Sequence, residues 1–126
     1  LGSSRDQLGI ITDQIGTPTY AGDLAKVILQ ISQQLKQGEK SWGTFHYCGD
    51  KPTNWYEFAK SIFDEASVQK KITKLPVLNP ISTHDYPLAA ERPVYSVLDC
   101  RSTVELWGVS LSNWRSALKI VISNLN

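Results

Sequence analysis

Apolar residues recur at a helical period in two long segments of the chain. Asp23 can cap the first and Gly38 can end it, and its apolar stripe consists of Leu24, Val27, Ile28, Ile31 and Leu35. Thr53 or Asn54 can cap the second, with Glu57 in position for a capping box, and its stripe consists of Trp55, Phe58, Ala59, Ile62, Phe63 and Ala66. Both patterns predict amphipathic helices that turn their apolar faces toward a core.

Shorter patterns complete the predicted elements. Runs of β-branched and aromatic residues predict strands at 8–12, 44–48 and 92–99, and Pro76 confines an extended segment at 72–78 to a sheet edge or bulge. Residues 79–90 are predicted to form a loop. A brief helix at 102–107 is stopped by Gly108, and Ser112 caps a last helix that includes Trp114. Strands and helices alternate, with four of each at most, which favours an α/β or α+β domain.

Composition narrows the class of protein. The 126 residues, of which 41% are hydrophobic and 20% charged, suit one compact domain. Thirteen basic and 12 acidic residues give a formal net charge of +1, so no overall field draws the chain to nucleic acid or to an anionic membrane. The longest apolar runs are far shorter than the roughly 20 residues that cross a bilayer, and no secretory leader is visible. We therefore expect a cytosolic protein.

Three further features of composition bear on function. Cys48 and Cys100 have neither a CxxC partner nor a histidine cluster, which favours buried reduced thiols over a metal site, with a disulfide as the minor alternative. The chain contains neither a GxGxxG turn nor a Walker loop, so it has no dinucleotide-binding motif of its own. Methionine is absent, and the first residues read like the middle of a surface segment. We therefore expect this chain to have been cut from a longer protein.

Two segments carry polar groups suited to a ligand. Residues 13–19 (DQIGTPT) form a rigid turn whose hydroxyls and amides could hold a sugar or phosphate oxygen, although an ordinary turn before a helix is the alternative. Arg92 follows a loop rich in polar and ring side chains, and its guanidinium could grip a diphosphate in a bidentate way. The alternative for Arg92 is a surface salt bridge.

The histidines and tryptophans give less evidence for a functional site than these two segments do. His46 and His84 could act as acids, bases or ligands near neutral pH, but neither has a serine, cysteine or carboxylate partner at motif spacing, so nucleophilic catalysis is not predicted. The four tryptophans, at positions 42, 55, 107 and 114, are interpreted as core residues.

Several motifs occur in an order that resembles the dTDP-4-dehydrorhamnose reductase family. They are DQIGTPT at 13–19, DLA at 23–25, WYEFA at 55–59, the Tyr86-Pro87 loop, and RPVYSVLD at 92–99. The resemblance covers nearly the whole chain, from about residue 8 to 115. The combination of DQxGxPT with RPxxSxLD is more specific than either motif alone.

The resemblance implies an α/β fold, namely the C-terminal part of an extended short-chain dehydrogenase of Rossmann type. Residues 1–126 would then be a substrate-binding domain with few strands and about four helices. An absent N-terminal Rossmann half would bind NADPH and supply the catalytic tyrosine and lysine, so no catalytic or cofactor-binding residue is expected here. The whole enzyme would transfer hydride to C4 of a dTDP-4-keto sugar and form dTDP-L-rhamnose.

The resemblance also assigns binding residues by motif. The first motif would lie beside the substrate cleft through Asp13, Gln14, Gly16, Pro18 and Thr19, and the second would bring Arg92 toward the diphosphate, braced by Ser96 and Asp99. Some members bind magnesium through glutamates at a dimer contact. Residues 22–24 offer no glutamate at the corresponding helix entry, so no metal is expected.

The partners and one alternative function also follow from the resemblance. The expected partners are the dTDP-sugar, the absent Rossmann half and a second copy in a homodimer. Neither nucleic acid nor membrane is expected, for the reasons of charge and apolar run length given above. The same fold serves a non-catalytic regulatory subunit of methionine adenosyltransferase. A regulatory subunit would be freer to lose the two motifs, whereas both are intact here, which favours the reductase.

Overall fold

The computed structural model describes residues 5–86 and 90–125, which form an α/β domain. Its elements in chain order are β1 (Gln7–Ile11), β2 (Ile15–Gly16), α1 (Ala21–Lys36), β3 (Thr53–Asn54), α2 (Trp55–Val68), β4 (Val77–Ile81), a 3-10 turn (Thr83–Asp85), α3 (Arg101–Trp107) and α4 (Trp114–Ser123). Few strands and four α-helices are therefore present in the described residues, and the predicted fold class is confirmed. None of these helices has both the length and the apolar character needed to span a bilayer.

Two small sheets organise the strands. β1 pairs with β4 in parallel, with Leu8 opposite Leu78, and the connection between them contains α1 and α2. β2 pairs with β3 in antiparallel fashion. The prediction of a loop at 79–90 is wrong in its first part, because β4 continues through Pro80 to Ile81. β4 has one strand neighbour among the described residues, so a residue without an amide proton is tolerated on its open side.

The prediction of a strand at 44–48 is wrong, because these residues have no regular secondary structure and pair with no strand among the described residues. Side chains hold the segment instead. The Phe45 ring lies edge-on to Trp107, with 5.5 Å between centroids, and the Thr103 hydroxyl donates to the His46 carbonyl at 2.6 Å. The alternation of apolar residues therefore reflects the burial of one side of this segment, and it does not indicate hydrogen bonding to a neighbouring strand.

The predicted strand at 92–99 is reduced to a single bridge between Tyr95 and Ile15. The Ile15 amide donates to the Val94 carbonyl at 2.8 Å, and the Ser96 amide donates to the Ile15 carbonyl at 2.9 Å. The segment therefore runs beside β2, but the contact is too short to count as a strand.

Two apolar clusters form the core. One joins α2 to α4 through Ala66, Trp114, Leu118 and Ile122, with Phe58, Ile62 and Ile72 packed against it. The other joins α1 to α3 through Val27, Trp107 and Val109, with Ile31, Leu35, Phe45 and Tyr47 around it. The predicted stripes supply much of both clusters. However, Trp42 and Trp55 are exposed, so the interpretation of all four tryptophans as core is wrong for these two.

The helix ends follow local chemistry, with two corrections. The Asn54 side chain caps α2 by accepting from the Glu57 amide at 2.8 Å, and Gly108 ends α3 with a left-handed φ of 59°, as predicted. α1 begins after Tyr20, and its first-turn Asp23 is not the cap. α4 is capped by Asn113, whereas the predicted cap, Ser112, is buried and donates to the Asp23 carboxylate at 2.8 Å.

Candidate functional site

A cavity of about 320 Å³ opens where β2, β3 and the start of α2 meet the 92–99 segment. Ligand pockets in proteins commonly occupy about 300–1,000 Å³, so the size suits a small molecule or part of a larger one. The described residues that line the cavity are Gln14, Ile15, Gly16, Thr17, Pro18, Thr53, Asn54, Trp55, Phe58, Arg92, Pro93 and Ser96. The two motifs that were predicted to act together therefore face one space.

The first part of the 13–19 turn is held by the 3-10 turn that follows β4. The Asp13 carboxylate accepts from the Thr83 amide at 3.0 Å and from its hydroxyl at 2.7 Å, and these hydrogen bonds, led by the hydroxyl, lower the pKa of Asp13. Gln14 is buried, and its amide nitrogen donates to the Thr83 hydroxyl at 3.1 Å. Thr83 thus fixes the entry to the turn and leaves Asp13 outside the cavity lining.

The second part of the turn is held from behind by the backbone at Gly49. The Gly49 amide donates to the Thr19 hydroxyl at 3.2 Å, and that hydroxyl donates to the Thr17 carbonyl at 3.1 Å. A Cβ at Gly49 would lie 2.2 Å from the Pro18 carbonyl oxygen, so the two backbones are in direct contact. Thr19 therefore shapes the turn without lining the cavity.

The 92–99 segment forms the opposite wall. Arg92 is exposed at the cavity, and no carboxylate among the described residues lies within 4.0 Å of its guanidinium, which disfavours the salt-bridge alternative. The Ser96 hydroxyl donates to the Ile15 carbonyl at 3.2 Å, and a Cβ at Gly16 would lie 2.9 Å from that hydroxyl oxygen. Ser96 thus fastens the segment to β2, and Gly16 leaves room for the contact.

Asp99 does not line this cavity. Its carboxylate pairs with Arg101 at 2.6 Å, and the hydrogen bonds from Arg101 lower the pKa of Asp99 to about 2. Asp99 lines a second cavity instead. The structure contradicts the prediction that Asp99 braces Arg92, because the Asp99 carboxylate is paired with Arg101.

Of the eight residues assigned from the motifs, five line the cavity and three do not. Gln14, Gly16, Pro18, Arg92 and Ser96 face it, whereas Asp13, Thr19 and Asp99 lie outside its lining. His46 and His84 do not line it either. No group of three or more histidine, cysteine or acidic side chains suited to a metal ion occurs at positions 5–86 and 90–125.

Sequence reasoning missed one wall of the cavity, which is formed by β3 and the start of α2. Thr53 and Asn54 add polar groups, while Trp55 and Phe58 add rings on which a planar base or the apolar face of a sugar can pack. The sequence marks these residues as a helix start and a core stripe. Only the pairing of β2 with β3 shows that this start faces the 13–19 turn.

These features define the class of the protein: an α/β lobe with an open ligand cavity that combines hydroxyls, amides, aromatic rings and a single charged side chain among the described lining residues, Arg92. Comparison with known families gives the particular assignment. The chain belongs to the RmlD substrate binding domain family, whose model matches residues 1–126. The resemblance predicted from the sequence is confirmed.

Individual relatives agree with this family. The chain is 44% identical over 120 residues to dTDP-4-dehydrorhamnose reductase of Aggregatibacter actinomycetemcomitans, covering 94% of this chain and 41% of that protein. It also matches a crystal structure of dTDP-4-dehydrorhamnose reductase from Bacillus anthracis in complex with NADP, with a TM-score of 0.81 and 30% identity over 99% of this chain and 41% of that one. The chain thus spans about two fifths of the length of these relatives.

Proposed function

We propose that residues 1–126 are the C-terminal, substrate-binding domain of an NADPH-dependent dTDP-4-dehydrorhamnose reductase. The observation that supports this most directly is the shared cavity, since the DQxGxPT turn and the RPxxSxLD segment line it from two sides. The similar reductases support the reaction. The whole enzyme would reduce dTDP-4-dehydro-6-deoxy-L-mannose to dTDP-L-rhamnose, and this chain would hold the nucleotide-sugar.

Each wall of the cavity has a distinct role in this proposal. Arg92 has no carboxylate partner among the described residues, so its guanidinium is available for the diphosphate. The backbone of the 13–19 turn and the Thr17 hydroxyl offer hydrogen bonds to sugar or phosphate oxygens. Trp55 and Phe58 provide an apolar surface for the base or the deoxy sugar. This lining therefore suits a ligand in which a charged diphosphate links two less polar groups.

The connection from β1 to α1 does not have the form of a dinucleotide-binding turn. A dinucleotide-binding turn needs glycines that let the backbone approach the pyrophosphate. The turn from β1 to α1 contains one glycine, Gly16, and the space beside it is filled by the Ser96 hydroxyl. We therefore assign NADPH, which supplies the hydride when bound, to an N-terminal Rossmann half together with the catalytic tyrosine and lysine.

The proposal also covers the compartment and the oligomeric state of the enzyme. We place it in the cytoplasm, because two buried free thiols suit a reducing compartment. We also propose a homodimer, since Ile28 and Leu29 leave apolar surface of α1 exposed to another subunit. The regulatory-subunit alternative has no support from the relatives described above.

The test uses the full-length protein and compares two arginines. Arg92→Ala should weaken dTDP binding, measured by calorimetry, by roughly 1 to 3 kcal/mol, or about 5- to 150-fold, because a charge-assisted contact to phosphate is lost. Arg101→Ala is the matched control, since Arg101 is paired with Asp99 and lies outside this cavity. Its affinity for dTDP should be unchanged.

Activity gives the second measurement. The full-length protein should oxidise NADPH when dTDP-4-dehydro-6-deoxy-L-mannose is supplied, and residues 1–126 alone should not. An active fragment would show that the catalytic groups lie in this chain. An inactive full-length protein that still binds NADPH would refute the reductase assignment, and equal dTDP affinities for the two arginine variants would refute the role of Arg92.

A further inference from the structure

Cys48 and Cys100 form a close pair outside the lining of the candidate site. Their Sγ atoms lie 3.4 Å apart although the residues are 52 positions apart in the chain, and both side chains are buried. A disulfide needs its sulfurs at about 2.05 Å, so the two sulfurs would have to approach each other by roughly 1.3 Å. The substrate-binding role does not use either thiol.

A second cavity, of about 340 Å³, leads to this pair. Both cysteines line it, together with Thr17, Asp99 and Arg101 from the described residues. A space of this size admits water or hydrogen peroxide, whose volume is a small fraction of it. The thiols are therefore buried among side chains yet reachable by a small oxidant.

Each cysteine adjoins a segment that supports one wall of the candidate site. Cys48 precedes Gly49, whose backbone contacts the Pro18 carbonyl and whose amide donates to Thr19. Cys100 follows the 92–99 segment directly and precedes α3. A covalent bond between the two cysteines would therefore fix the support of the 13–19 turn to the end of the segment that carries Arg92.

We propose that Cys48 and Cys100 are a redox-active pair that forms a reversible disulfide on exposure to hydrogen peroxide and thereby locks the two walls of the candidate site together. In the first step the thiolate of one cysteine attacks a peroxide oxygen, the O–O bond breaks, and a sulfenic acid and hydroxide form. In the second, the other thiol attacks the sulfenic sulfur, and the hydroxyl leaves as water. Two thiols lose two electrons and two protons, and one peroxide becomes two waters.

The surroundings of the two cysteines determine the rate and the product of this reaction. Burial, followed by the hydrogen bond with Cys48, raises the pKa of the Cys100 thiol to about 11. That thiol is protonated near neutral pH, so oxidation should be slow and should need sustained peroxide. Once the first thiol is oxidised, the second is already in contact with it, which favours the disulfide over further oxidation.

The test treats the full-length protein with hydrogen peroxide and maps its unreduced peptides by mass spectrometry. A peptide cross-linked between Cys48 and Cys100 should appear, the melting temperature should rise by roughly 5 to 15 °C, and dithiothreitol should reverse both changes. Cys48→Ala and Cys100→Ala should each lose the cross-link and the temperature shift. The proposal of a redox-active pair would be refuted if no reaction occurred, or if sulfinic acid formed at either cysteine without a cross-link.

The effect on ligand binding rests on the proposed function and is measured separately. Oxidation should strengthen dTDP binding about two- to tenfold in the wild-type protein, because the walls are held in place before the ligand arrives, and should leave the affinity of Cys48→Ala unchanged. A cross-link without any change in affinity would overturn the coupling to the cavity. Failure of the reduced protein to bind dTDP at all would instead count against the proposed function, whatever the peptide map shows.

Discussion

Replacing Gly49 by alanine should disturb the candidate site although Gly49 does not line it. An added Cβ would lie 2.2 Å from the Pro18 carbonyl oxygen, well inside the 3.0 Å that real Cβ contacts essentially never cross. The Cβ would also meet the Trp114 ring at 3.4 Å, which is ordinary contact. The conflict is thus with a backbone atom of the 13–19 turn, which cannot rotate away as a side chain would.

The size of the effect follows from this geometry. Overpacking in a well-packed region costs about 1 to 3 kcal/mol, and relief here requires the turn to move away from Gly49. That movement would break the hydrogen bond from the Gly49 amide to the Thr19 hydroxyl, 3.2 Å long, at a cost of about 1 kcal/mol. We expect Gly49→Ala to lower the free energy of unfolding by about 2 to 4 kcal/mol in total, and to weaken dTDP binding because Pro18 shifts.

Urea denaturation of the full-length protein gives the stability, and calorimetry with dTDP gives the affinity. Gly43→Ala is the matched control, because its new Cβ would be 3.7 Å from the nearest atom, in the Phe45 ring, and should change the free energy of unfolding by less than about 0.5 kcal/mol. If Gly49→Ala proved as stable as Gly43→Ala and bound dTDP normally, the contact between Gly49 and the turn would not be what positions Pro18.

The helices could be predicted from the sequence because their signals are local. The stripe of α2 places Phe58, Ile62 and Ala66 at one core cluster, and Asn54 supplies the cap that its position suggests. Trp55 belongs to the same stripe but is half exposed, since α2 begins at the cavity and its first ring lies beyond the end of the core. Periodicity identifies a face of a helix, and it does not say where along that face the core stops.

The strands and the site depended on contacts that no local pattern contains. Residues 44–48 alternate as a strand would, but their burial comes from a ring and a hydroxyl of α3. The motifs named Asp13 and Asp99 as ligand-binding residues, whereas each carboxylate is already occupied, by Thr83 and Arg101 respectively. Arg92 and Gly16 reach the cavity because the 92–99 segment bonds to β2, a pairing across the chain that spacing cannot reveal.

Two buried hydroxyls give further predictions, both measured by urea denaturation. Thr103→Val should lower the free energy of unfolding by about 1 to 3 kcal/mol, because the His46 carbonyl loses its donor at 2.6 Å. Thr103→Ser is the control, since it should keep that hydrogen bond. Equal stabilities of the two variants would show that the hydrogen bond is unimportant. Ser112→Ala should cost about 1 kcal/mol near neutral pH. The Ser112 hydroxyl, and then Lys26, lower the pKa of Asp23 in the folded protein, so this contribution is complete above the unfolded pKa of about 3.9 and is lost as pH falls through the lower folded value. The difference between Ser112→Ala and wild type should therefore shrink below about pH 4, and a difference that stayed constant down to pH 2 would show that the hydroxyl acts by packing and not through the carboxylate.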